Sequence, residues 1–107
     1  MKEFNKNSLD AYVAEGKTVL VEYSAPWCVY CRRLAPAMEK IAERYAESLT
    51  VGAVNIDDEP ELARRENIEV VPTLVLYKMD RLWIQSWDLD LRRQLRNLYE
   101  RTAEVGI

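Results

Sequence analysis

The apolar positions of this 107-residue chain fall into short continuous runs separated by helical stripes. Thr18-Val19-Leu20-Val21-Glu22-Tyr23 favours a strand and is apolar on both faces except at Glu22, which predicts a central strand covered on both sides. From Cys28 to about Leu49, the positions Leu34, Met38, Ile41, Ala42, Tyr45 and Leu49 recur at helical spacing. Pro36 falls inside that stripe; it lacks an N–H and predicts a kink. Val51 to Ile56 reads as a second buried strand, and Asp57-Asp58-Glu59-Pro60 opens a helix through about Asn67, with proline in the first turn and acids at its positive end. Thr73 to Lys78 and Leu82 to Trp87 read as two strands separated by Met79-Asp80-Arg81, a hairpin-length link. Ahead of the first strand, Ser8 is expected to cap a short helix through Ala14, with Gly16 as its stop. After the hairpin, Asp88 or Asp90 is expected to cap a last helix with the stripe Leu91, Leu95, Leu98 and Thr102. The order β-α-β-α then β-β-α predicts an α/β sandwich with parallel early crossovers and an antiparallel final hairpin.

Length and composition narrow the class. A chain of this size, with no internal repeat or linker, reads as one domain over residues 1–107, able to bury a core without permanent cross-links. Apolar residues at 49% and charged residues at 31% match ordinary soluble globular proteins. The start, Met1 to Asn7, has no apolar core of a signal peptide, and no apolar run approaches membrane-spanning length. A cytoplasmic protein without a membrane partner is therefore expected, a setting in which a stable structural disulfide is unusual and a working one is not. The net charge of −3 weighs against nucleic acid as a partner. Histidine is missing altogether, which removes the commonest general base and zinc ligand and excludes Cys-His catalysis within the chain.

The chemistry concentrates in Trp27-Cys28-Val29-Tyr30-Cys31, which holds the only two cysteines. Three residues apart on a helix, their side chains meet about 5–6 Å apart at Cβ. That spacing suits either a reversible disulfide or half of a metal site. Other signals carry less. Asp57-Asp58-Glu59-Glu61 lacks the glycine turn and ligand spacing of a calcium loop, and helix capping accounts for it better. Trp83 and Trp87 share one face of a strand pattern and suit packing more than base stacking. Arg92, Arg93 and Arg96 suit a solvated helix face.

Taken in order, several features resemble the thioredoxin family over nearly the whole chain. These are Glu22-Tyr23 ending a strand, Ala25-Pro26-Trp27-Cys28 and Cys31 at a helix start, Pro36 five residues later, Val54-Asn55-Ile56-Asp57 and Val71-Pro72-Thr73. The resemblance implies a thioredoxin fold, a three-layer α/β/α sandwich around a mixed sheet of four to five strands. It also implies a monomer that needs no bound cofactor or metal, acts on disulfide-containing proteins and is recharged by a thioredoxin reductase-like flavoprotein. Departures accompany it. Val29-Tyr30 replaces the usual Gly-Pro, Glu22 stands for the usual buried Asp, Ala53 stands where a lysine typically accompanies that acid, and Val70 and Asp88 replace two groove glycines.

Carried onto these positions, Cys28 is the attacking thiolate, favoured by the helix N-terminus and by Arg32 and Arg33. Cys31 is the resolving thiol, and Glu22 is the acid that takes its proton, with a pKa expected to rise on burial. Pro72 resembles the family's cis proline, pressing Val71 toward the cysteines so that a substrate segment can add as a strand. Trp27, Val29 and Tyr30 are expected to border the bound substrate, with Val29-Tyr30 giving a less reducing couple and a narrower substrate range than Gly-Pro. The expected function is a thiol–disulfide oxidoreductase working through a mixed disulfide on Cys28. The competing readings are a glutaredoxin- or isomerase-like exchanger, a redox-inactive binding module of the same fold, and a metal or iron–sulfur protein that pools four cysteines in a dimer.

Overall fold

The computed structural model describes residues 1–77 in full and residues 78 and 80–84 by their backbone. Along them run β1 (Lys2–Glu3), α1 (Lys6–Ala14), β2 (Val19–Ser24), α2 (Val29–Arg44), β3 (Thr50–Asn55), α3 (Pro60–Arg65), β4 (Thr73–Lys78) and β5 (Asp80–Ile84). The strands form a sheet in the order β1-β3-β2-β4-β5. β3 pairs in parallel with β1 and β2, whereas β4 pairs antiparallel with β2 and β5. The mixed sheet, with parallel crossovers early and an antiparallel hairpin late, is the one the hydrophobic pattern predicts.

Strand alternation sorts the core into two layers. Leu20, Val51, Leu74 and Leu76 meet Met38 and Ile41 of α2 on one face. Val19, Val21, Tyr23, Val75 and Tyr77 meet Leu9 of α1 and Leu62 of α3 on the other. Each fully buried aliphatic side chain contributes about 2 kcal/mol. β2 lies in the middle of both layers, which is why five of its six residues are buried. Gly52 is needed where β3 passes the N-terminal segment, because a Cβ there would collide with the Phe4 ring.

Several boundaries differ from the expectation, each for a local reason. α1 is capped by Asn5, not Ser8: the Ser8 N–H donates to Asn5 Oδ1 (2.9 Å) and the Asn5 N–H donates to Ser8 Oγ (3.0 Å). Ser8 thus serves as the third-residue half of a capping box. Gly16, at φ +79°, does end the segment. α2 stops at Arg44, short of Leu49; the N–H groups of Ser48 and Leu49 turn back to the Tyr45 carbonyl and return Leu49 to the same core without helix. α3 stops at Arg65, short of Asn67, which sits in the left-handed region at φ +58°. β5 begins at Asp80, so the expected Met79-Asp80-Arg81 link is shorter: Asp80 already pairs with Lys78 and Arg81 with Tyr77. Backbone ladder bonds are indifferent to those polar side chains at the sheet edge.

β1 was not expected, since two exposed residues carry no periodic signal. The expected strand end at Trp87, the Trp83 side chain, Asp88, the helix over 91–102 and Arg92, Arg93 and Arg96 lie outside the described residues. Among the described residues, no helix is long and apolar enough to cross a membrane.

Candidate active site

β2 ends at Ser24, and a short exposed turn through Pro26 and Trp27 delivers Cys28 to the N-cap of α2. The Cys28 N–H donates to the Ala25 carbonyl (3.1 Å), and Cys28 Sγ accepts the N–H of Cys31 (3.1 Å). Cys28 and Cys31 are joined as a disulfide with Cα atoms 5.3 Å apart. Cys28 therefore occupies the position where unpaired helix N–H groups and the positive end of a 16-residue helix converge. Released from the disulfide, its thiolate would keep that donor, which lowers a thiol's pKa.

Both sulfurs are nearly buried, in a small cluster with Ala25 against which Ile56 and Val71 pack. Around them the surface is apolar and open: Trp27 is 62% exposed, Val29 53%, Tyr30 55% and Val70 42%. The Val71-Pro72 peptide is cis, with Pro72 buried and Val71 half-buried against the cysteine cluster. Thr73 Oγ1 donates to the Val70 carbonyl (2.6 Å) and ties this loop to the start of β4. The structure thus brings together Cys28, Cys31 and Val71, with Pro72 next to Val71 in the chain, and leaves Trp27, Val29 and Tyr30 exposed.

Glu22 lies two residues beyond Leu20 on β2 and so shares the face that α2 covers. It is 2% exposed, and its Oε2 has no hydrogen-bond partner among the described residues. Burial alone pushes its pKa from the ordinary 4.5 to about 7. The register puts Ala53 directly across from it, and Glu3 across from Ala53. The methyl of Ala53 offers neither a donor nor a charge. It opens instead on a cavity of about 440 Å³ also lined by Glu3, Ser24, Pro26, Asn55 and Glu59.

Sequence reasoning missed a second buried acid. Glu66, at the end of α3 and 1% exposed, accepts from Tyr77 Oη (2.6 Å) and from Arg65 Nε (3.2 Å). Tyr77 Oη also meets Tyr23 Oη at 2.6 Å, and Arg65 grips Asp10 of α1 with two bonds of 2.8 and 2.9 Å. Burial raises the Tyr77 pKa well above the usual tyrosine range, so its proton stays on this network. The available signal was the pair of tyrosines in doubly covered strands, whose hydroxyls need buried partners. Among the described residues, no group of three or more His, Cys, Asp or Glu side chains is placed to hold a metal.

The family model for thioredoxin matches residues 1–100. A thioredoxin of Alicyclobacillus acidocaldarius is 44% identical over 62 residues, covering 58% of this chain and 59% of that protein. Thioredoxin 1 of Nostoc is 39% identical over 75 residues, covering 70% of this chain and 66% of its own length. The chain thus spans somewhat over half the length of these curated relatives. In structure it resembles Plasmodium falciparum thioredoxin, with a TM-score of 0.81 at 25% identity, over 94% of this chain and 98% of the other. With its disulfide at the cap of α2 and a cis Val71-Pro72 peptide whose Val71 packs against the cysteines, the chain belongs to the thioredoxin family.

Proposed function

We propose that this chain is a thiol–disulfide oxidoreductase that reduces protein disulfides. The observation that carries the reading is the Cys28–Cys31 disulfide whose Cys28 sulfur caps α2 and accepts the Cys31 N–H. In the reduced protein, the Cys28 thiolate attacks one sulfur of a partner disulfide. A Cys28–partner bond forms, and the partner's other sulfur leaves as a thiolate. Cys31 then loses its proton and attacks Cys28, re-forming the intramolecular disulfide and releasing the second partner thiol. Two electrons pass to the partner, and a reductase returns them. A flavoprotein drawing on a nicotinamide cofactor fits the family, and a reducing compartment such as the cytoplasm fits the cycle.

Glu22 is the acid that receives the Cys31 proton. A carboxylate poised near pH 7 both takes and returns a proton at working pH. Val71 supplies backbone groups beside the cysteines where a partner segment adds as a strand, and Trp27, Val29, Tyr30 and Pro72 border that segment.

The test is equilibration of the couple in thiol buffers, read by alkylation of free thiols. We expect a reversible two-electron couple in the wild type and none in Cys28→Ser. A potential near the thioredoxin figure of about −270 mV makes it a strong general reductant, and one near about −200 mV places it with glutaredoxin- and isomerase-like exchangers. Replacing Val29-Tyr30 by Gly-Pro is expected to lower the value. Absence of any reversible disulfide would overturn the reading.

A further inference from the structure

We propose that Arg32 and Arg33 select partner disulfides flanked by acidic side chains. The proposal rests on the exchange reaction above and names the class of segment that fits beside it. Both arginines are exposed on the first turns of α2. Arg32 stands four residues after Cys28, on the same stripe of the helix, and its Nη2 donates to the Pro26 carbonyl at 2.9 Å. The Arg33 guanidinium lies over the Tyr30 ring, 5.9 Å from its centroid. Two cations are thus held in place at the rim of the cysteine site, one by a backbone oxygen and one by an aromatic face.

Neither arginine forms an ion pair among the described residues. Arg65 makes the contrast, being paired with both Asp10 and Glu66. Two described acids lie beside these segments, and neither pairs with Arg32 or Arg33. Glu59 lines the cavity beside Pro26 and accepts the Lys6 N–H, while Glu69 precedes Val70 on the opposite loop. Among the described residues, the apolar contact area of Trp27, Val29, Tyr30 and Val70 therefore has a positive border along α2 whose two arginines form no ion pair.

A planar guanidinium already ordered by stacking loses little freedom when a carboxylate docks on its fork. An aspartate or glutamate close to the partner's disulfide supplies that carboxylate. It takes no part in the sulfur chemistry and acts only by holding the disulfide against Cys28. The attraction is local: the whole chain carries −3, and screening confines the effect to about 8 Å at physiological salt.

The experiment compares reduction of three disulfides by the reduced protein. Two are cystine peptides identical except for flanking glutamates or lysines, and the third is uncharged 2-hydroxyethyl disulfide. We expect kcat/KM for the glutamate peptide to exceed that for the lysine peptide by about three- to tenfold. The ratio should fall toward one in about 1 M NaCl, shrink in Arg33→Gln and invert in Arg33→Glu. Equal rates for the two peptides, or a preference unchanged by salt and by Arg33→Glu, would overturn the selection while reduction of 2-hydroxyethyl disulfide upheld the exchange reaction. Failure to reduce any of the three would overturn the exchange reaction, and the selection with it.

Discussion

Two glutamates are sealed in this protein to almost the same degree, Glu22 at 2% and Glu66 at 1% exposure, on opposite faces of one sheet. Their surroundings differ completely. Glu66 accepts from a tyrosine and an arginine, and that arginine is itself clamped to Asp10. Glu22 has a methyl across from it, an oxygen without a partner among the described residues, and a pKa near 7. Burial therefore does not decide what an acid does; the supply of donors does. Given donors, a carboxylate becomes a tie between α3, β4 and α1. Denied them, it is held by burial at a pKa near 7, on the face that holds the cysteine helix.

The largest effect should come from removing the tie. Glu66→Ala leaves the buried Tyr77 hydroxyl with Tyr23 alone, takes one acceptor from the partly exposed Arg65 and opens a hole in the core, and is expected to lower stability by about 3 kcal/mol in urea unfolding. Tyr77→Phe, which deletes one donor and keeps the ring, should cost less than half of that. If both variants matched the wild type, the network would carry no stability and the contrast would collapse.

Removing the other acid should act in the opposite direction and depend on pH. The folded-state pKa of Glu22 lies above the unfolded value. Between about pH 4.5 and 7 the fold holds a proton that the unfolded chain has released, so stability falls as pH rises through that window. Glu22→Gln should abolish this slope and raise stability by up to about 3 kcal/mol at pH 8, with little change at pH 4. The same variant is expected to slow release of the partner from Cys28 by about tenfold or more, measured as decay of a trapped mixed disulfide. A wild-type stability that is flat from pH 4.5 to 7 would remove Glu22's unusual status.

A smaller change would make the two acids alike. Ala53→Lys sets a cation across the parallel ladder from Glu22 and should draw its pKa down by about one unit. The shift can be followed by carbon NMR of the labelled carboxyl. An unmoved titration would mean that position 53 does not reach the acid.

Much of this was legible in the chain. The unbroken apolar character of β2 requires cover on both faces, and the cover is there in α2 on one side and α1 with α3 on the other. The cysteine spacing at a helix start and the Val-Pro-Thr segment carried the family. What escaped had no local signature. β1 is recruited by pairing with the distant Gly52 and Ala53, and the Asn5 cap competes with Ser8, an equally good capping residue three positions on. The short hairpin link depends on register, which backbone hydrogen bonds set without regard to Asp80 and Arg81.

The order of elements from α1 to β5, the strand that must be central, the helix that must start at Cys28 and the placement of the cysteine pair follow from side-chain period, proline and cysteine placement, all of them properties of neighbouring residues. The fates of Glu22 and Glu66 do not. They depend on whether residues 31 or 11 positions away, Ala53 on the neighbouring strand and Tyr77 beneath α3, present a methyl or a hydroxyl to the acid. Only folding sets those neighbours beside the acids, and in a dry interior the presence or absence of donors there separates a hydrogen-bonded acid from one whose pKa is raised by burial alone.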